Sequence, residues 1–382
     1  MHVALTVNFS PWSAYSGGAQ RSAHNLACAL SRSGHRVDVV YTRAPGEEVR
    51  VPSDLPYGVR WAKLVAMRSR PSSWLRPLSS FSVASELEKL APDVVHSNGE
   101  EAAVAAGHRK VFSGPFVVTP RYPSFPASMS DGSWRRPVAR MRHMLLHGKY
   151  AALGIALAGA DRYCPTSRDS ASRLRRVFGL RPKRIRVVPN GVERVFFEHR
   201  WQPPGSEQLL FFGRFAEEKG VLDLVEALGR LPDPPPAVLV GRGPALPQMR
   251  ARIEQLGLTQ RVTIRDWVPE AELCELISTA SMVVLPSWEE SFGNAIAEAM
   301  AVGAPIVTTN RGSIPELVTQ GETALITFAQ APEALAQTIQ RLRGDTALAA
   351  SLASAARREA EDRFSWDRVA ASYAEVYREI PA

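Results

Sequence analysis

Residues 281–305 read Ser-Met-Val-Val-Leu-Pro-Ser-Trp-Glu-Glu-Ser-Phe-Gly-Asn-Ala-Ile-Ala-Glu-Ala-Met-Ala-Val-Gly-Ala-Pro, and this stretch decides the fold. The apolar run that ends at Leu285 predicts a short buried strand. A polar loop follows it, and the pattern predicts that a helix begins near Phe292. A strand, a loop and a helix in succession form the repeating unit of a parallel sheet covered by helices. The stretch therefore predicts an α/β fold.

The loop and the helix start also carry chemistry. Glu290 lies just before the first helical turn, and Glu298 lies inside the helix. The free N–H groups and the positive dipole end of a first turn suit an anionic ligand such as a diphosphate. Glu298 could reach hydroxyl groups of the same ligand. Together these features predict a binding site for a sugar nucleotide.

Bulk composition fits a globular protein with two domains. The chain has 382 residues, of which 45% are hydrophobic and 22% are charged. It has no apolar run of 18 residues, so we predict no transmembrane helix. The N-terminus reads as a first strand rather than a signal peptide. Cys28, Cys164 and Cys274 have no metal or redox spacing and are expected to be buried thiols in a reducing cytoplasm.

Charge is distributed unevenly along the chain. Residues 1–200 hold 30 Lys and Arg against 14 Asp and Glu, whereas residues 201–382 hold 16 against 24. This asymmetry indicates an anionic partner for the first half. A basic segment of mixed cations and apolar residues could lie on an anionic membrane surface, or could be an ordinary helix with a solvated basic face; its cations are Arg135, Arg136, Arg140, Arg142 and Lys149. No aromatic-basic recognition motif supports a nucleic-acid partner.

Strand-like and helix-like segments alternate along both halves of the chain. We therefore expect two tandem doubly wound, Rossmann-like α/β domains that face a cleft. The predicted first domain covers 1–194 and binds the acceptor, a Pro- and Gly-rich linker covers 195–208, and the second domain covers 209–365. A last helix within 366–382 could pack back on the first domain.

Arg214 and Lys219 are the strongest cationic candidates. They lie five residues apart in a turn between a strand and a helix, where both can face one diphosphate. The alternative is a pair of ordinary surface charges. The glycines of Gly241-Arg-Gly243, also at a strand end, would let a ligand approach the backbone closely, although a tight turn explains them equally well.

The first half offers weaker candidates. Gly17 and Gly18 precede the first helix, where a phosphate or sugar could contact its N-terminus. His96 and Asn98 share one face of a predicted strand and, with Arg21, are candidate contacts for an acceptor or a sugar. A structural histidine in the core is the alternative for His96.

The combination Phe-Gly-Arg…Glu-Lys-Gly, then Leu-Pro-Ser…Glu-Ser-Phe-Gly…Glu-Ala-Met-Ala, resembles the GT-B glycosyltransferases of family 4 over nearly the whole chain. The resemblance implies a retaining enzyme that uses a nucleotide-diphosphate sugar and needs no metal or other cofactor. It implies that Arg214 and Lys219 hold the diphosphate, that Glu298 binds the ribose and that Gly17 and Gly18 lie beside the donor phosphate. It also implies contacts to the donor sugar from Glu290 and from the helix start, at Ser291, Phe292, Gly293, Asn294 and Ala295.

Two positions depart from the family pattern. The family often has a histidine where this chain has Asn98, so no catalytic role is transferred to that position. The loop near the nucleotide base usually has glycine before an aromatic residue, whereas this chain has Asp266-Trp267. The base is therefore left unassigned.

The expected reaction is same-face transfer of a sugar to an acceptor hydroxyl, with the leaving phosphate accepting the proton. Fixed cations and helix N–H groups would stabilise the charge that grows on that phosphate. We expect a role in surface glycan, lipopolysaccharide or exopolysaccharide synthesis, in the cytoplasm or at the inner face of the membrane, with a glycan, lipid-linked or small-molecule acceptor. A sugar-nucleotide epimerase of the same architecture and a non-catalytic sugar-binding or scaffold protein are the alternatives.

Overall fold

A computed structural model describes the chain at residues 1–13, 18–43, 46–63, 80–98, 114–120, 159–203, 205 and 207–380. The chain divides into two compact units. One comprises Met1–Gly191 together with Trp366–Ala382, and the other comprises Val192–Ser365.

The first unit is a parallel sheet covered by helices. Its strands are β1 (His2–Asn8), β2 (Arg36–Arg43), β3 (Gly58–Lys63), β4 (Val94–Asn98), β5 (Phe116–Thr119) and β6 (Arg162–Tyr163). Its described helices are α1 (Gly18–Arg32), α2 (Ser80–Leu90) and α3 (Arg168–Phe178), and a later helix of the chain, Trp366–Arg378, also belongs to this unit. The sheet order is β3-β2-β1-β4-β5-β6, which is the doubly wound order of dinucleotide-binding folds.

The C-terminal helix completes the core of this unit. Trp366, Val369, Tyr373 and Tyr377 are buried in one apolar cluster with residues of β1, β2 and α1. Gly191 accommodates this helix, because a Cβ at that position would lie 2.3 Å from the ring of Trp366. The helix is therefore an integral part of the first unit's core.

The second unit repeats the same plan. Its strands are β7 (Leu209–Phe212), β8 (Ala237–Val240), β9 (Val262–Arg265), β10 (Met282–Leu285), β11 (Ile306–Thr309) and β12 (Leu325–Thr327). Its helices are α4 (Arg194–Glu198), α5 (Val221–Arg230), α6 (Leu246–Gln255), α7 (Glu270–Thr279), α8 (Asn294–Val302), α9 (Ile314–Leu317), α10 (Pro332–Arg343) and α11 (Thr346–Arg363), and the helix Trp366–Arg378 of the first unit is α12. The order β12-β11-β10-β7-β8-β9 places the topological switch point between β7 and β10.

The four central strands of the second unit are buried on both faces. In each of β7, β8, β10 and β11 all four residues are buried, which explains why these strands read as continuous apolar runs rather than as alternating patterns.

An ion pair links two surface helices beside this sheet, where Glu226 of α5 bonds Arg252 of α6. That hydrogen bond, together with one from Arg230, lowers the pKa of Glu226 to about 2.

The doubly wound α/β architecture predicted from the sequence is confirmed for each unit. The segment predicted as the linker 195–208 differs from expectation at its start. Most of α4 lies inside it, and Phe196 is buried in the core of the second unit. Trp201 is also anchored, since its indole nitrogen donates to the Ala280 carbonyl at 2.7 Å. These apolar residues hold the segment against the second unit despite its polar composition.

The cysteine prediction holds at two of three positions. Cys164 and Cys274 are buried, and burial raises the pKa of each thiol. Cys28 is half-buried on α1 instead of fully enclosed.

The basic segment with Arg135, Arg136, Arg140, Arg142 and Lys149 lies outside the described residues. Of the helices that the structure does describe, none combines the length and apolar character needed to cross a membrane.

Candidate active site

Two loops meet at the switch point of the second sheet. The first follows β7 and ends in a 3-10 turn, Glu217–Lys219, and the second follows β10. Gly220 closes the first loop with a φ of 65°, and a Cβ there would lie 2.0 Å from the Pro286 carbonyl oxygen. Only glycine permits this close approach of the two backbones. Gly220 thus brings the loop that carries Arg214 and Lys219 directly against the loop that carries Glu290. The first is called the cationic turn and the second the acidic loop.

An ion pair joins the two loops. The ammonium of Lys219 donates to Glu290 Oε1 at 2.6 Å, and the hydroxyl of Ser287 donates to the same oxygen at 2.9 Å. The Glu290 side chain is only 12% exposed and that of Lys219 is 26% exposed. An ammonium has three N–H donors, so Lys219 retains donors for a ligand while it holds Glu290. The pair forms a fixed, partly desolvated charge centre at the switch point.

The backbone of the acidic loop is held by Ser313, at the start of α9. The N–H of Ser313 donates to the Glu290 carbonyl at 3.1 Å, and its hydroxyl donates to the Phe292 carbonyl at 2.9 Å. Phe292 is buried and packs edge-on against Phe364. The loop is therefore anchored on both sides of Ser291, which is half-buried.

Helix α8 begins at this loop. Gly293 precedes it with a φ of 99° and provides no side chain to cap the first turn. An uncapped helix N-terminus suits an anionic group. Asn294 is exposed, while Ala295 and Glu298 are half-buried, so the first turns of α8 reach solvent beside the charge centre.

Arg214 lies at the exposed side of the same site. Its side chain is 59% exposed and its guanidinium pairs with Glu218 four residues later. The structure therefore brings Lys219 and Glu290 into contact and leaves Arg214 in solvent. A guanidinium has five N–H donors, so the contact with Glu218 leaves donors for a phosphate.

Close packing of two loops explains why glycine is present at positions 241 and 243. A Cβ at these positions would lie 1.9 Å from the Gly213 carbonyl oxygen and 2.1 Å from the Phe215 carbonyl oxygen, respectively. Phe215 N–H also donates to the Arg242 carbonyl at 2.8 Å. The glycines allow the loops after β7 and β8 to pack together, a requirement that the sequence pattern alone does not separate from ligand approach.

The loop after β9 continues the same edge of the sheet. Asp266 accepts hydrogen bonds from the guanidinium of Arg242 and, at 2.7 Å, from the backbone N–H of Trp267. The first of these contacts holds the pKa of Asp266 below its ordinary value. Trp267 is 51% exposed, so a large aromatic face lies open at this loop.

Trp288 is a connecting residue that motif reasoning missed. Its backbone N–H donates to the Glu218 carbonyl at 2.8 Å, and its indole nitrogen donates to the carboxylate of Asp223 in α5 at 2.5 Å. Burial raises the pKa of Asp223, and the hydrogen bond from Trp288 offsets part of that rise. Trp288 thus bonds the acidic loop to both the cationic turn and the helix that follows it. No local sequence signal pairs positions 65 residues apart.

The candidates of the first unit are placed differently. His96 is fully buried, with its ring nitrogens 2.6 Å from the Tyr377 hydroxyl and 2.8 Å from the Thr119 hydroxyl. Both nitrogens are occupied, so His96 joins β4 to the C-terminal helix and offers neither nitrogen to a sugar. Asn98 is also buried, whereas Arg21 and Gly18 are exposed on α1; Gly17 lies outside the described residues.

The carboxyl end of β1 carries a polar group that the sequence did not reveal. Asn8 is buried, its side-chain oxygen accepts from Thr42 at 2.8 Å, and its carbonyl accepts from Gln20 at 2.7 Å. Phe9 follows with a φ of 56°, which is a strained conformation for a bulky residue. Ser10 is buried next to it. Buried polar groups and backbone strain thus mark the edge of the first sheet at its switch point.

Two protein-family models match the chain. Residues 16–195 match the model of "Glycosyltransferase Family 4", and residues 206–345 match that of "Glycosyl transferases group 1". Between them the two matches cover most of the chain. With two doubly wound sheets and a cationic turn at the second switch point, the chain belongs to the family 4 glycosyltransferases of the GT-B fold.

Individual relatives span several activities. The chain is 27% identical to a D-inositol 3-phosphate glycosyltransferase of Xylanimonas cellulosilytica, over 96% of this chain and 93% of that protein. It is also 27% identical to a glycogen synthase of Mycobacterium tuberculosis, over 94% and 91% of the two chains.

Solved structures show the same fold. A sucrose-phosphate synthase from Thermosynechococcus elongatus aligns with a TM-score of 0.81 at 21% identity, over 99% of this chain and 98% of that one. The protein HepE of Anabaena, solved with UDP and glucose, aligns with a TM-score of 0.76 at 20% identity, over 99% of each chain. At this level of identity the likeness concerns the fold alone.

Proposed function

We propose that this glycosyltransferase moves a sugar from a nucleotide-diphosphate donor to an acceptor hydroxyl with retention of anomeric configuration. The observation that carries the proposal is the contact between Lys219 and Glu290 beside the uncapped start of α8. A fixed cation and a helix start without a side-chain cap at one point suit a diphosphate. The carboxylate beside them suits hydroxyl groups of the attached sugar.

The chemistry follows from where charge grows. When the bond between the sugar and the diphosphate breaks, negative charge develops on the leaving phosphate oxygen. Lys219 and the first turn of α8 would stabilise that charge more in the transition state than in the bound donor. Arg214 would turn from Glu218 to the diphosphate as a second cation. The leaving phosphate would accept the acceptor's proton, so neither Glu290 nor Glu298 serves as a general base.

The two glutamates position the donor. Glu290 is held by Lys219 and Ser287, so its second carboxylate oxygen can accept a hydrogen bond from a sugar hydroxyl. Glu298 lies further along α8 and would accept from the ribose. This division of roles needs no metal or other cofactor in the site, in keeping with the family resemblance.

A uridine nucleotide is the first donor to test, because HepE was solved with UDP and with UDP-glucose. The relatives' names include an inositol phosphate and a polysaccharide, so they do not define one acceptor. We propose a surface glycan, in lipid-linked or polymeric form, made on the cytoplasmic side of the membrane. The uneven charge of the chain supports an anionic acceptor or surface facing the first unit.

The test incubates the purified protein with a panel of nucleotide sugars in EDTA and measures the release of nucleoside diphosphate. Slow hydrolysis of one donor is the expected result, and the anomeric proton coupling of the released or transferred sugar should show retention. An epimerase would convert the donor to an isomer without releasing nucleoside diphosphate. A binding protein would bind the donor and leave it intact, and either outcome would contradict the proposal.

A further inference from the structure

Four cationic side chains lie in the loops that follow the strands of the second unit, at the carboxyl edge of its sheet. Three of them pair with a carboxylate, in the pairs Arg214–Glu218, Lys219–Glu290 and Arg242–Asp266. The fourth, Arg311, is exposed in the loop after β11. It forms no ion pair and no side-chain hydrogen bond with any residue that the structure describes. The charge of Arg311 is therefore not neutralised within the described part of the chain.

The loop that carries Arg311 is fixed against the acidic loop. On one side of it, the buried hydroxyl of Thr309 donates to the Ser287 carbonyl. On the other side, Gly312 has a φ of 58°, and a Cβ there would lie 2.8 Å from the backbone nitrogen of Glu290. Only glycine permits this close approach of the two backbones. The backbone of Arg311 is therefore held beside Glu290.

The order of the strands places Arg311 on one side of the charge centre. Strand β11 neighbours β10 on the side away from β7, whereas β8 and β9 lie beyond β7. The loop after β9 holds Asp266-Trp267, which the family resemblance associates with the nucleotide base. A nucleotide sugar with its diphosphate at the charge centre would therefore extend its base toward β9 and its sugar toward β11.

The chemistry of Arg311 favours a carboxylate on that sugar. A guanidinium presents its N–H donors in a planar fork, which matches a carboxylate through two parallel hydrogen bonds. The diphosphate meets Lys219, Arg214 and the start of α8 in the proposed complex, so Arg311 is available for another anionic group. Glu290 is paired with Lys219, and this pairing reduces its repulsion of a neighbouring carboxylate.

We propose that Arg311 selects a donor whose sugar carries a carboxylate, that is, a nucleotide-diphosphate hexuronic acid. This assignment rests on the proposed function and narrows it, because it names the class of sugar that the enzyme transfers. The carboxylate attached to C5 of the sugar forms the ion pair that Arg311 lacks within the described chain. A neutral hexose has a hydroxymethyl group at the same position and leaves the guanidinium without a charged partner.

The experiment measures the binding of intact donors by titration calorimetry and their consumption by release of nucleoside diphosphate. Two matched pairs of probes are used, UDP-glucuronic acid with UDP-glucose and GDP-mannuronic acid with GDP-mannose. The members of each pair differ only in a carboxylate against a hydroxymethyl group. The unmodified protein should bind the acidic member of one pair about 10- to 100-fold more tightly than the neutral member, which is the factor expected for hydrogen bonds to a charged group.

Three variants test whether Arg311 causes this preference. Arg311→Gln should bring the ratio of the two affinities close to one, and Arg311→Lys, which keeps the charge but loses the fork, should retain part of it. The control Arg341→Gln removes an exposed arginine near the end of α10 that also has no ion pair in the described part of the chain, and it should leave the ratio unchanged. Because Arg311 is exposed, Arg311→Gln should unfold at the same urea concentration as the unmodified protein.

The outcomes separate this assignment from the proposed function. Equal affinity for both members of a pair, a preference for the neutral member, or an equal loss for both members in Arg311→Gln would overturn the role of Arg311. Release of nucleoside diphosphate from neutral donors alone would also overturn it, while supporting the transferase. Selective binding that depends on Arg311, without release of nucleoside diphosphate, would support the assignment and contradict the transferase. Binding of none of the probes would overturn both.

Discussion

Lys219→Met tests the charge centre of the second unit in two ways. The substitution keeps a flexible, unbranched stem and removes the ammonium that donates to Glu290 at 2.6 Å. Breaking a fully buried ion pair costs about 3–5 kcal/mol because one charge is left uncompensated. Glu290 is 12% exposed and keeps the hydrogen bond from Ser287, so we expect a smaller loss of about 1–3 kcal/mol in the free energy of unfolding.

The effect on turnover should be larger than the effect on stability. Removing one preorganised donor from a developing oxyanion typically slows a reaction by about 10²–10³-fold. Donor consumption, followed as release of nucleoside diphosphate, should fall by that factor in Lys219→Met. Urea unfolding monitored by tryptophan fluorescence supplies the matching stability value.

The double variant Lys219→Met/Glu290→Gln separates the two roles. Glutamine removes the uncompensated charge, so the free energy of unfolding should return to within about 1 kcal/mol of the unmodified protein. Turnover should stay about 10²-fold below that of the single variant Glu290→Gln, because the missing cation acts on the phosphate. Turnover restored to the level of Glu290→Gln would refute this reasoning and reduce Lys219 to a structural partner.

Three further variants test other contacts. Trp288→Phe keeps an aromatic ring but removes the indole donor to Asp223, so unfolding should become easier by about 1–2 kcal/mol and the KM for the donor should rise; an unchanged KM would exclude a positioning role. Tyr377→Phe removes the hydroxyl at 2.6 Å from His96 and should cost about 1–3 kcal/mol in urea unfolding, with a loss below 0.5 kcal/mol speaking against the buried bond. Glu226 has a pKa lowered to about 2 in the folded state, so its stabilising effect is present above the ordinary value of 4.5 and is lost as pH falls toward 2. Glu226→Gln should therefore be less stable than the unmodified protein at pH 7, and urea curves should converge as pH falls through this window; a constant difference would contradict the assignment.

The α/β architecture was predictable because buried parallel strands read as apolar runs. The apolar run predicted to end at Leu285 forms β10, and the helix predicted to begin near Phe292 begins at Asn294. Strand β3 was not predicted, since Gly58–Lys63 mixes charged and apolar residues at the sheet edge. Helix α11, at the end of the second unit, was also not predicted. It is rich in alanine, so its apolar and polar faces differ little in sequence.

Local motifs located the candidate site, but not its contacts. The loop after β7 and the loop after β10 were both identified as ligand-binding, yet the direct bond between Lys219 and Glu290 spans 71 residues and depends on the pairing of β7 with β10. The role of Trp288 depends on the same pairing. The parity argument for His96 and Asn98 put both on one face of β4, but could not show that the C-terminal helix, 281 residues away, occupies the histidine ring.

Hydrogen–deuterium exchange with saturating nucleoside diphosphate tests the central claim most directly. If the diphosphate binds at the charge centre, backbone amides at 292–296, at the start of α8, and at 216–220, in the cationic turn, should exchange more slowly. Lys219→Met should abolish most of this protection at the same ligand concentration. Protection confined to other segments, or none at a concentration that supports donor turnover, would contradict the placement of the donor in the second unit.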